Sequence, residues 1–168
     1  MKICLLTRSF LGGGGIGRVS TEITNGLRKA GHEVYCISSS REDLVGYFKY
    51  TFFDIRRKIP KGYDIYHAVT PMESIWIPKD KGIVTILDII AITHPERYGG
   101  RMGKSKVFSF IGKMLFKFGC RQALRCKSVV CISEHVKEEL IKHFGMDRNK
   151  VKVIRLGINE GLFVRETL

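Results

Sequence analysis

Apolar residues gather in short runs along this chain, and the stretches between them either space their apolar positions at three and four or turn polar. KICLLT (2–7), EVYCIS (33–38), YDIYHAV (63–69), GIVTILDII (82–90), SVVCIS (128–133) and KVKVIRLG (150–157) read as strands. The runs at 63, 82 and 128 are nearly continuous in apolar character, as strands buried on both faces are. IGRVSTEITNGLRKAG (16–31) sets Ile16, Val19, Ile23, Leu27 and Ala30 on one helical face, with Gly31 where a C-terminal cap belongs. SEHVKEELIKHFG (133–145) is another helix, opened by Ser133 as N-cap and closed by Gly145. A basic helical stretch spans roughly 104–127, and the region from Leu44 to Lys58 has no clear period, with KYTFFD (49–54) a candidate strand inside it.

Strands alternating with helices predict an α/β domain with a doubly wound, mostly parallel, Rossmann-like sheet. At 168 residues and 44% apolar composition the chain fits one domain with its own core. No run approaches the length of a membrane span, and the apolar part of MKICLLTRSF is short for a secretory signal, so a soluble, cytoplasmic chain is expected. Cys4, Cys36 and Cys131 fall in apolar strand runs, while Cys120 and Cys126 are too far apart for a CxxC site. Buried free thiols are expected, with neither a disulfide framework nor a metal site.

Charge changes the picture. A net charge of +13 predicts attraction to something anionic: nucleic acid, a phosphorylated substrate or an acidic membrane surface.

LLTRSFLGGGGIGR (5–18) carries the sharpest chemical signal, four glycines between a strand and a helix. Glycines there let a ligand approach the backbone, and the free amides of a helix N-terminus favour a phosphate or pyrophosphate. Gly12, Gly14 and Gly17 satisfy GxGxxG, but a dinucleotide site also wants an acid at the end of the second strand, where this chain has Ser38, Ser39 and Ser40. A nicotinamide or flavin site is therefore not expected.

GGGGIGRVSTEITNGLRKAGHEVYCIS resembles the first strand–loop–helix unit of glycosyltransferase family 4, including GHEV at Gly31, His32, Glu33 and Val34. YDIYHAVTP, IVTILDIIAITHPERY and SVVCISEHVKEELIKHFGMDRNKVKVIRLGIN are similar to later segments of that family, in the same order. The resemblance implies the N-terminal, acceptor-binding half of a GT-B enzyme, a retaining glycosyltransferase that uses a nucleotide-sugar donor and no metal or other cofactor. It implies a Rossmann-like domain over 1–157, the start of an interdomain linker at 158–168, and a donor domain lying elsewhere, in cis or on a partner chain. Gly13, Gly14, Gly15 and Arg18 are then expected at the donor diphosphate. His67 and Asp88, near the carboxyl ends of strands, are expected in the acceptor and sugar cleft. Where the family carries a His-Asp pair this chain has Leu87-Asp88, so only the aspartate carries over. Without the second domain's charges at the leaving diphosphate, the chain alone is expected to be inactive. Cell-envelope glycan, lipopolysaccharide or glycolipid synthesis is the expected setting, and a nucleotide-sugar epimerase half of GT-B type shares the same features.

Residues 101–127 hold eight basic residues and no acidic one. A helical wheel puts Val107, Phe108, Ile111, Met114, Leu115 and Phe118 toward the sheet, with Lys106, Lys113 and Lys117 on another face and Phe116 among or beside those lysines. An outward aromatic beside cations suits an anionic membrane interface; the alternative is a solvated basic helix whose one aromatic is covered by a loop or by the second domain. The charge and interleaved aromatics would also suit a nucleic-acid-binding module. No RRM, KH or zinc signature supports that reading, and no nucleic-acid partner is expected.

Overall fold

The computed structural model describes residues 1–10, 15–39, 44–94 and 106–157. Six strands, β1 (Lys2–Thr7), β2 (Glu33–Ser38), β3 (Ile65–Ala68), β4 (Gly82–Ile86), β5 (Ser128–Cys131) and β6 (Val151–Val153), form one parallel sheet in the order β2-β1-β3-β4-β5-β6. The expected α/β, Rossmann-like class is what forms.

The chain leaves β1 in one direction through α1 (Gly15–Lys29) to β2, then crosses back and proceeds the other way from β3 to β6. Right-handed crossovers therefore put α1 on one face of the sheet and the later helices on the other. On the α1 face, Thr7 Oγ1 and Ser20 Oγ share a 2.6 Å hydrogen bond and Thr24 Oγ1 lies 3.8 Å from Cys36 Sγ. On the opposite face Cys4, Leu6, Tyr66, Ala68, Val84, Ile86, Val129 and Cys131 build the core with Tyr50, Ile55, Cys120, Ala123, Val136 and Leu140 from the covering elements. Those elements are α2 (Leu44–Lys49), a π-helical segment (Tyr50–Asp54), α3 (Ile55–Lys58), a 3-10 turn (Glu73–Ile75), α4 (Ile90–Thr93), α5 (Lys106–Leu124) and α6 (Glu134–Phe144). All five cysteines are free thiols, four of them buried and Cys36 half-buried, and burial pushes Cys4 and Cys120 up to about 12.

α6 has the ends its sequence predicts. Ser133 stands in extended backbone and its side chain accepts from Val136 N at 3.2 Å, and Gly145 closes the helix in the left-handed region at φ 63°. Ser133→Ala leaves that amide without its partner, and urea unfolding should show a loss of about 1 kcal/mol.

Three expectations are corrected. KYTFFD is helical: α2, the π-helical segment and α3 run on without a break. Tyr50 and Ile55, five apart, are both fully buried, Tyr50 donating to Ile37 O at 3.1 Å. A burial interval of five fits neither a strand nor an α-helix, so neither period shows in the sequence. The run is also tied to the β3–β4 connection, where Trp76 Nε1 donates to Thr51 O at 2.5 Å and the Arg56 guanidinium lies 5.7 Å from the indole ring centre.

The second correction concerns β4: GIVTILDII is a strand only to Ile86, after which Asp88 Oδ1 accepts from Ile90 N at 3.1 Å at the start of α4. The third correction concerns α5, which is turned about its axis from the expected orientation. Gly119, Cys120 and Ala123 face the sheet and Phe116 packs against the core, while Met114 and Phe118 are exposed. A Cβ on Gly119 would stand 2.9 Å from Pro71 O, so the helix approaches the β3–β4 connection too closely for bulky residues, and small ones take the inner face. Phe116 is accordingly not the outward aromatic that the wheel suggested.

Candidate functional site

The winding direction of the sheet reverses between β1 and β3, and open α/β sheets bind ligands in the crevice beyond the carboxyl ends of such strands. β1 delivers Thr7 and Arg8 to this edge, β3 leads into Thr70 and Glu73, and β4 leads into Asp88. Thr7 is buried and bound to Ser20, whose hydroxyl also donates to Ile16 O at 2.8 Å, so the end of β1 and the first turns of α1 are held together.

Gly15 is the first residue of α1 and exposed, and a Cβ built there would meet nothing within 4 Å. Arg18 is exposed in the first turn. Gly13 and Gly14 lie outside the described residues.

His67 sits within β3, in register with Leu5 of β1 and Ile83 of β4, and its Nε2 is 2.8 Å from Thr85 Oγ1. Burial lowers its pKa to about 4, so the imidazole is neutral near pH 7. It can accept or donate a single hydrogen bond on each nitrogen but supplies no positive charge. Asp88 is exposed two residues beyond β4, one carboxylate oxygen spent on Ile90 N. The structure brings His67 together with Thr85 and sets Asp88, exposed, beyond the carboxyl end of β4.

Glu73 was missed by sequence reasoning. It is fully buried in the turn after β3, its Oε2 accepts from Thr70 Oγ1, and its Oε1 has no hydrogen-bond partner among the described residues. Burial pushes the carboxyl up to about 7, against the Thr70 hydrogen bond and the Arg8 guanidinium, which pull it down. One signal was available: Glu73 is the lone acid in AVTPMESIWIP, directly after a strand. Thr85, the polar residue inside GIVTILD, was the corresponding signal for the partner of His67.

Of the outward positions on α5, Lys117 is exposed and Lys113 half-buried, whereas the side chain of Lys106 lies outside the described set. No described helix is long and apolar enough to cross a membrane.

No curated protein matches the chain. The family model for Glycosyltransferase Family 4 matches residues 46–161, well over half of the sequence. The matched stretch contains β3, β4, β5, β6 and His67, Glu73 and Asp88, and begins after the glycine run and α1. With the parallel sheet, its reversal between β1 and β3 and this match in agreement, the chain belongs to glycosyltransferase family 4.

Proposed function

We propose that this chain is the acceptor-binding half of a retaining glycosyltransferase that takes a nucleotide-sugar as donor, works in cell-envelope glycan, lipopolysaccharide or glycolipid synthesis, and meets its acceptor at an anionic membrane surface. The observation that carries this reading is the family match, whose β3 borders the reversal point of the sheet and carries a neutral imidazole at His67, with an exposed carboxylate, Asp88, just beyond β4. In this reading Asp88 and His67 orient sugar hydroxyls by hydrogen bonds, and the N-terminus of α1 with Arg18 faces the donor diphosphate, whose negative charge suits the amides there. Gly13 and Gly14 join that contact in the same reading. A donor-binding domain, in cis or on a partner chain, supplies the cations that stabilise the leaving diphosphate. The domain 1–157 forms one wall of the cleft and 158–168 leads toward the other. The nucleotide-sugar is a substrate, and the reading invokes no metal or resident cofactor.

The test is amide chemical-shift mapping of the isotope-labelled chain against uridine- and guanosine-diphosphate sugars and a panel of mono- and oligosaccharide acceptors, with transfer assayed in the same mixtures. Acceptors should perturb amides around His67 and Asp88, Asp88→Asn should weaken that binding at least several-fold, and the chain alone should give no transfer. Shifts confined to the opposite edge of the sheet would remove the crevice as the site, and multiple turnovers by the chain alone would refute its dependence on a second domain.

A further inference from the structure

α5 packs its small residues inward and turns large apolar ones out. Phe110, Met114 and Phe118 recur at four-residue intervals and are 64%, 58% and 46% exposed. At about 100° per residue, Phe110, Lys113, Met114, Lys117, Phe118 and Arg121 fall within an arc of roughly 140°, so apolar and cationic side chains share one outer face. The helix contains no acidic residue. Beside it, Lys117 and Arg121 of α5 and His143 of α6 line a cavity of about 230 Å³ with Ile92, Leu124 and Phe144. Glu139 lies 3.3 Å from His143 on the same helix.

We propose that this outer face of α5, with the groove between α5 and α6, docks on an anionic lipid bilayer: Phe110, Met114 and Phe118 enter the interface while Lys117 and Arg121 meet lipid phosphates. The inference deepens the membrane partner of the proposed function and needs nothing from the transfer chemistry. Charge complementarity selects the occupant. A helix face with aromatics and cations interleaved, on a helix that contains no acidic residue, fits the boundary between phosphates and acyl chains, where each kind of side chain finds its own depth. The same side of the sheet also exposes Phe48 and Phe53, 48% and 65%, on the run from α2 to α3, beside Lys49, Arg56, Arg57 and Lys58 and with one acid, Asp54, among them.

The experiment is co-sedimentation of the full chain with phosphatidylcholine vesicles, with and without phosphatidylglycerol, at low and high salt. Binding should require phosphatidylglycerol and weaken with salt. Lys117→Glu/Arg121→Glu and, separately, Phe110→Ser/Met114→Ser/Phe118→Ser should each cut the bound fraction at least tenfold with circular dichroism unchanged. Arg28→Glu/Lys29→Glu, at the end of α1 on the other face, should leave it within twofold. The proposal is overturned if the unmodified chain ignores anionic vesicles, if the charge-reversed variant binds as well as the parent, or if size exclusion shows a dimer that depends on Phe110, Met114 and Phe118 in place of vesicle binding. None of these results touches the crevice, which the shift-mapping experiment tests by itself.

Discussion

Gly119→Ala should destabilise the protein although it places the best helix former inside a helix. Relieving a mid-helix glycine ordinarily gains up to about 1 kcal/mol. At Gly119, however, the new Cβ would lie 2.9 Å from Pro71 O and 3.0 Å from Pro71 C, backbone atoms that cannot swing aside. The surrounding contacts are tight as well: Ser74 Oγ donates to Pro71 O at 2.6 Å and to Gly119 O at 3.2 Å, so the β3–β4 connection and α5 are pinned together at that point. Overpacking against rigid backbone atoms costs up to about 3 kcal/mol, which against a propensity gain of about 1 leaves a net loss of up to about 2 kcal/mol; valine should lose about 3 or more. Gly26 is the internal control, because it too is helical but a Cβ there meets nothing within 4 Å, and Gly26→Ala should gain stability. Urea midpoints of the two alanine variants should therefore move in opposite directions. A midpoint for Gly119→Ala above that of the parent would show that α5 does not sit against Pro71.

The second large effect is a pH dependence that the parent protein conceals. His67 has a pKa of about 4 when folded against 6.5 as a free side chain, so its contribution is intact above pH 6.5 and is lost as pH falls toward 4. Glu73 has a pKa of about 7 against 4.5, so its penalty is absent below pH 4.5 and grows as pH rises toward 7. Each shift corresponds to about 3 kcal/mol at its full extent. Between pH 4.5 and 6.5 the two slopes have opposite sign, and the terms from these two residues nearly cancel. Glu73→Gln should therefore show stability rising with pH across that interval, and His67→Gln should show it falling. Denaturation followed by circular dichroism at half-unit steps of pH reads both slopes as differences from the parent. Parallel curves for all three proteins would mean that neither group is buried as described.

The sheet was legible because parallel strands buried on both faces leave apolar runs that no surface element imitates, as in IVTI and SVVC. α6 was legible for another reason: its cap residues act on neighbouring backbone groups and need no tertiary partner. The π-helical segment was not, since its period is set by how Tyr50 and Ile55 reach the sheet. The facing of α5 failed instructively. A wheel assigns the core side to the bulkiest residues, but here the approach to Pro71 selects Gly119 and Ala123, and bulk is displaced outward. His67 and Asp88 were singled out from their places near predicted strand ends, whereas the neutrality of His67 and the burial of Glu73 depend on surroundings brought together by the fold. The glycine run is the clearest chemical signal in the sequence, yet it precedes the stretch that the family match covers.

Trp76 is the only tryptophan in the chain, and it joins the β3–β4 connection to the π-helical segment through Thr51. Its indole also lies under a guanidinium. Intrinsic fluorescence therefore watches one seam of this protein, the closure of the α2–α3 run over the sheet, and is silent about the α1 face. A stopped-flow emission trace set beside far-ultraviolet circular dichroism would separate the moment when that seam closes from the moment when the helices form.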